Sequence, residues 1–232
     1  MFDEGWCLPL IAVSDKQMES KMKKVNQYIV AGVAAFGLLV GQVSAKDISK
    51  VLGGINISGG EVVGDLSSVN GGVVLADNAK AEDIDTVNGK VRLGKQVTID
   101  SASTVNGGIT AEQGVIVNQS LETVNGSIRV ASNGRVNGDI ESVNGSISLK
   151  QTIVGGSLSI HNGDIHLEGS EVAGDITVRK NRGMFKHSSN NKPDIVIDAN
   201  SRVNGTIHLY REANLTIEKG ATVGEVIRHY ED

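Results

Sequence analysis

The chain has 232 residues, a formal net charge of -5, 29 glycines, two prolines, one cysteine and 3% aromatic residues. That charge removes the electrostatic case for nucleic acid as a partner. So much glycine, with neither a collagen triplet nor a low-complexity run, points to many tight turns between short strands.

The first segment reads as targeting. Lys21, Lys23 and Lys24 precede an apolar run from Ile29 to Val40, and Val43-Ser44-Ala45 supplies small residues for cleavage. The run is shorter than the roughly 20 residues a membrane-spanning helix needs. Residues 22–45 are therefore expected to be a secretory signal peptide cleaved after Ala45, leaving no transmembrane segment in the mature chain, 46–232. Residues 1–21 carry Asp3, Glu4 and Asp15, which is unusual for a signal, and are read as an extension ahead of a true start at Met22 or Met18. Cys7 lies in that extension, so the mature chain would lack thiol chemistry. A cysteine-free exported protein fits a bacterial periplasm or the cell exterior.

From there the chain repeats itself. Ser-Val-Asn-Gly opens at Ser68, Thr-Val-Asn-Gly at Thr86, Thr104 and Thr123, and Ser-Val-Asn-Gly again at Ser142. The motif glycines are Gly71, Gly89, Gly107, Gly126 and Gly145, so the step is almost constant. A fixed period of roughly 18–19 residues is the signature of a solenoid. Two apolar columns follow each motif: Ile55, Val73, Val91, Ile109, Ile128, Ile147 and Ile165, then Ile57, Leu75, Leu93, Ala111, Val130, Leu149 and Leu167. A variable residue between them gives the in–out–in period of a half-buried strand. Counting back four positions makes Val51, Val69, Val87, Val105, Val124 and Val143 a third inward column, broken by His161.

A second element, clearest at Val136-Asn137-Gly138-Asp139-Ile140 and Val172-Ala173-Gly174-Asp175-Ile176, lies shortly before the next Val-Asn-Gly. After Val172 it recurs only at Val203, late for the period. The delay places about 13 extra residues in a loop at 179–194 that replaces one Val-Asn-Gly corner. The last copy starts at Val223. The expected fold is all-β: a single-domain parallel β-helix of nine to ten coils with three short strands each, whose core exists only by stacking.

The Asn column, Asn70, Asn88, Asn106, Asn125, Asn144 and Asn162, is read as a structural ladder at corners with left-handed backbone angles. The functional alternative is a flat Thr-x-Asn array that orders water. Asp65, Asp83, Ser101, Ser120, Asp139, Ser157 and Asp175 form an acidic column of turn residues, with a shared cation between Asp65 and Asp83 as the alternative. The histidines, His161, His166, His187, His208 and His229, cluster late, but strand alternation splits His161 from His166; neither a metal site nor a cofactor is expected. Within the loop, Arg179, Lys180, Arg182, Phe185, Lys186 and His187 are the candidate partner-binding residues, because functional segments concentrate where a repeat is interrupted. No nucleophile elbow, phosphate loop or catalytic carboxylate pair stands out, so no catalytic residue is assigned.

The alternation of Val-x-Gly-Asp-Ile with Val-Asn-Gly-Ser-Ile over residues 47–227 resembles the bactofilin, or polymer-forming, type of bacterial β-helix. It also looks like a set of exported bacterial proteins of unknown function with the same repeat, a late loop ending like Lys192-Pro193 and a closing turn like Ala221-Thr222-Val223-Gly224. The resemblance implies a right-handed β-helix that polymerises end to end. The signal peptide departs from bactofilins, which are cytoplasmic. The expectation is thus an exported, non-enzymatic structural, self-associating or adhesive cell-envelope protein, with an envelope glycan or protein as a further partner. The alternative is a polysaccharide-binding or polysaccharide-cleaving β-helix that uses the lateral groove and the basic loop.

Overall fold

The computed structural model describes residues 46–180 and 192–230. The signal-peptide and start-site readings, and Arg182, Phe185, Lys186 and His187 of the loop, lie outside the described residues. Within them every regular element is a strand, and every sheet is parallel. Sheet A stacks ten strands: Ile48–Leu52, Leu66–Asn70, Asp83–Thr86, Ser101–Asn106, Leu121–Asn125, Ile140–Asn144, Leu158–Asn162, Ile176–Val178, Ile207–Leu209 and Val226–Arg228. Sheet B stacks nine, from Ile55–Ile57 to Asn214–Ile217, and sheet C seven, from Thr98–Ile99 to Thr222–Val223. Bridges Val62↔Lys80 and Lys80↔Thr98 carry sheet C down to the first coils. One strand per sheet per turn makes a β-solenoid of about nine turns, the architecture the period implies.

The register is one coil per rung throughout. Ile109 pairs with Ile128, and Ile128 with Ile147, so like residues stack on like and fill the interior. The two Ile/Leu columns of sheet B are buried from residue 55 to 167. Leu66, Ile84, Ala102, Leu121, Ile140, Leu158, Ile176 and Ile207 supply the matching wall from sheet A, and Val117, Val136, Val154, Val172 and Val203 that from sheet C. Burying each such aliphatic side chain contributes roughly 1.5–3 kcal/mol, and no single coil could do so without its neighbours.

The insertion divides between two corners. In the uninterrupted coils Ile147 pairs with Ile165 and Val154 with Val172; across the insertion Ile165 pairs with Ile195 and Val172 with Val203. All but one of the surplus residues therefore lie between the sheet A and sheet B strands, and the last lies at the next corner. The coil resumes in register because the surplus is carried in corners, where no ladder bond has to be kept.

The Val-Asn-Gly motif differs from expectation in two ways. First, its valine points outward. Thr86, Thr104, Thr123 and Ser142, one position earlier, are the buried residues, while Val87, Val105, Val124 and Val143 are half-exposed and Val51 is 54% exposed. The Asn-Gly corner resets the alternation, so counting back from Ile128 through it lands on the wrong parity; the inward position is set by Leu121, on the same strand. Each buried hydroxyl donates to a glycine carbonyl one coil down: Thr86 to Gly71 at 3.0 Å, Thr104 to Gly89 at 3.0 Å, Thr123 to Gly107 at 2.8 Å and Ser142 to Gly126 at 3.2 Å. Ser68 makes no such bond; its counterpart in the first coil, Gly53, is turned to φ +86°. With the threonines buried, the outward Thr-x-Asn array that would order water is not formed.

Second, the corner asparagines are not left-handed. Apart from Gly53 and Gly163 at the sheet A–sheet B corner, the positive φ angles sit between sheets B and C, at Gly60, Asn78, Gln96, Gly114, Asn133, Gln151, Gly169 and Gly220. Glycine is needed in Val-Asn-Gly for a different reason. A Cβ on Gly126 would lie well under 3.0 Å from the carbonyl carbon and oxygen of Gly107, and the same overlap recurs at Gly89, Gly107 and Gly145. The corners stack backbone on backbone.

Candidate functional site

That close stacking brings the asparagine amides together. Asn88 Nδ2 donates to Asn70 Oδ1 at 3.0 Å, Asn106 to Asn88 at 2.8 Å, Asn125 to Asn106 at 3.0 Å, Asn144 to Asn125 at 2.9 Å and Asn162 to Asn144 at 2.9 Å. The ladder stops where the loop replaces the next corner. There Arg211 Nη1 donates to Asn162 Oδ1 at 2.9 Å and to the His161 carbonyl at 3.3 Å, taking the place of the missing asparagine. Burial lowers the Arg211 guanidinium from its ordinary value, as expected of a charge drawn into a corner.

The acidic column is used in the same way. Asp65 Oδ1 accepts the Asp83 amide at 3.2 Å, Asp139 Oδ1 the Ser157 amide at 2.8 Å, and Asp175 Oδ1 the Thr206 amide at 2.8 Å. Ser157 Oγ accepts the Asp175 amide at 3.0 Å, so Ser and Asp alternate in one task. These side chains supply acceptors for amides that the bend at the corner removes from the ladder. Burial raises the Asp65 carboxyl, the Asp83 amide pulls it back, and repulsion from Asp83, Asp47 and Asp100 adds to the rise.

Beside it, on the outer face of sheet A, Ser67, Asp85, Ser103, Glu122, Glu141, Ser159, Thr177 and His208 stack in register. Burial raises the Asp85 carboxyl most, a hydrogen bond from Ser103 Oγ lowers it, and Asp83, Asp65 and Glu122 raise it again. A carboxyl raised on folding weakens the fold at neutral pH. The penalty fades as pH falls through the folded value and is gone below the ordinary 3.8. Asp85→Asn is therefore expected to raise the thermal midpoint at pH 7, with no gain below 3.8. Calorimetry at the two pH values checks it, and an equal gain at both would show that charge is not the cause.

The next outer column changes character along the stack. It is valine at Val69, Val87, Val105, Val124 and Val143, then His161, Arg179, Tyr210 and His229. Backbone hydrogen bonds from the Arg179, Tyr210 and His229 amides to the Ile160, Val178 and Leu209 carbonyls, at 2.8, 2.9 and 2.8 Å, keep these four in line. Arg179 is half-buried, its Nε donating to Ser159 Oγ at 2.8 Å, while Lys180 is exposed. At the far end of the loop, Lys192 pairs with Glu212 at 2.6 Å. The described base of the loop and the altered column thus share the C-terminal third of sheet A. The repeat pattern singles out His161 and the loop but not Tyr210 or His229; their alignment needs the coil register across the insertion.

His166 lies outward on sheet B, away from His161. No helix among the described residues is long and apolar enough to cross a membrane. The fold and its corner ladders define a parallel β-solenoid. No protein-family model, curated protein or solved structure matches the chain.

Proposed function

We propose that this β-solenoid is an exported bacterial protein with a structural role in the cell envelope, non-enzymatic, and self-associating through its coil ends. The observation that carries this reading is the state of the end strands. Among the described residues, Ile48–Leu52 and Ile55–Ile57 at one end, and Asn214–Ile217, Thr222–Val223 and Val226–Arg228 at the other, are each paired on one side alone. Unpaired strand edges are templates for a further strand, and a head-to-tail contact that does not close generates filaments. The first coils also expose Val51, Leu52 at 76% and Val62 at 61%, apolar surface that a second copy would cover. The asparagine and aspartate columns support a structural role, since both are spent on holding one coil to the next.

Sedimentation velocity across a concentration series, with negative-stain microscopy, tests this. Particles that lengthen with concentration are the expected result; a monomer at every concentration would remove the reading. A second reading, binding of an anionic envelope glycan, draws on the column His161, Arg179, Tyr210 and the exposed Lys180. It becomes the leading one if the protein stays monomeric and a glycan array shows binding that Arg179→Ala abolishes.

A further inference from the structure

We propose that His208 and His229 form a binding site for a divalent transition-metal ion of the Cu²⁺, Ni²⁺ and Zn²⁺ class, at the C-terminal end of sheet A. His208 lies outward on Ile207–Leu209, and His229 directly follows the neighbouring strand, Val226–Arg228. Leu209 pairs with Arg228, which puts His229 opposite Tyr210 and diagonal to His208; the two imidazoles meet with ring centroids 5.3 Å apart and planes inclined by 33°. His208 Nδ1 and His229 Nε2 are 3.1 Å apart. With metal–nitrogen bonds of about 2.05 Å, that separation subtends about 98° at a shared ion. The angle lies between the square-planar and tetrahedral values these metals adopt.

The surroundings fix both rings. Asp175 Oδ2 is 3.9 Å from His208 Nε2, and its Oδ1 is tied to the Thr206 amide at 2.8 Å. The 3.9 Å distance is too long for a hydrogen bond, so the carboxylate acts on His208 through its charge alone, favouring the proton on Nε2 and leaving Nδ1 as the nitrogen turned toward His229. His229 binds through Nε2 with its proton on Nδ1. Tyr210 stacks on the His229 ring at 4.2 Å with planes 7° apart, which restricts its rotation. No group of three or more His, Cys, Asp or Glu side chains gathers as a metal cluster among the described residues. The described residues therefore supply two nitrogen donors, and water or a further donor would fill the other positions. Two imidazoles select these metals over magnesium or calcium, which require oxygen ligands. A bound ion would tie the last strand of sheet A to the one beneath it and stabilise that end by mass action.

The test uses the full chain without an affinity tag, in a Cys7→Ser background so that no thiol competes. Nickel(II) is titrated by calorimetry, and copper(II) is followed by electron paramagnetic resonance to count nitrogen ligands. The expected result is one saturable equivalent with two nitrogens. Binding should be lost in His208→Gln and in His229→Gln, weakened about tenfold in Asp175→Asn, and unchanged when His161, His166 and His187 are all replaced. Circular dichroism establishes that each variant is folded. An absence of saturable binding would mean that the two imidazoles only hydrogen-bond to one another, and would overturn the proposal. So would binding that survives both single replacements.

Discussion

Gly126→Ala is expected to destabilise the solenoid by about 4 kcal/mol, at the upper end of what single substitutions do. The new methyl group would overlap the carbonyl carbon and oxygen of Gly107 and the amide nitrogen of Gly108, all at under 3.0 Å. None of these is the free end of a side chain. Relief would require the corner to separate from the coil beneath it. That would also strain the Asn125–Asn106 bond of 3.0 Å and the Thr123–Gly107 bond of 2.8 Å, both of which depend on the same close approach. Because stability in a stacked array is the sum of each coil and its interfaces, damage in the middle of the stack weakens the interfaces on either side. Gly114→Asn is the control. Gly114 has φ +74°, but a Cβ there would meet its nearest neighbour, the Gln96 side chain, at 3.4 Å. The equivalent residues Gln96 and Asn133 already hold φ of 55° and 62°. Its cost should stay within about 1 kcal/mol, since asparagine tolerates that region. Urea unfolding of the two variants gives the comparison. A loss below about 1 kcal/mol in Gly126→Ala would refute close backbone stacking as the reason for glycine in the motif.

Arg211→Met should be the next most damaging change, at about 2 kcal/mol, the range for hydrogen bonds from a charged donor discounted for partial exposure. Methionine keeps the aliphatic stem and loses the donors. The change removes the donor from which Asn162 Oδ1 and the His161 carbonyl accept at 2.9 and 3.3 Å. The effect should be local. Amide exchange is expected to accelerate from Leu158 to the C-terminus and to stay near the parent rate in the coils before Val143, because each coil contacts only its neighbours. Uniform acceleration along the whole stack would mean that Arg211 does not act as the ladder's cap.

These two variants mark the boundary between what could be read along the chain and what required the fold. The near-constant step of Val-Asn-Gly dictated parallel stacking, since no coil that short can bury its own Ile and Leu columns. The same period located the insertion, because the return of the second element at Val203 has meaning only if the register survives the loop. Asparagine recurring in one column was enough to expect an amide ladder, since parallel in-register stacking places like side chains one above another.

Other features lay beyond any local pattern. Val124 and Thr123 are both β-branched and of similar size, so composition does not say which faces inward. The corner at Asn125-Gly126 resets the alternation, and the Gly107 carbonyl one coil away decides in favour of the hydroxyl. The left-handed column at Gly60, Asn78, Gln96, Gly114, Asn133, Gln151 and Gly169 carries no common residue type, so it left no motif to find. Arg211 is far along the chain from Asn162, and His229 from His208; each pair meets only because coils stack across the insertion or beyond it. Periodicity determined the architecture, since stacking obeys spacing alone. The partners of individual polar groups were decided by the tertiary structure, because a donor in one coil answers to an acceptor in the next.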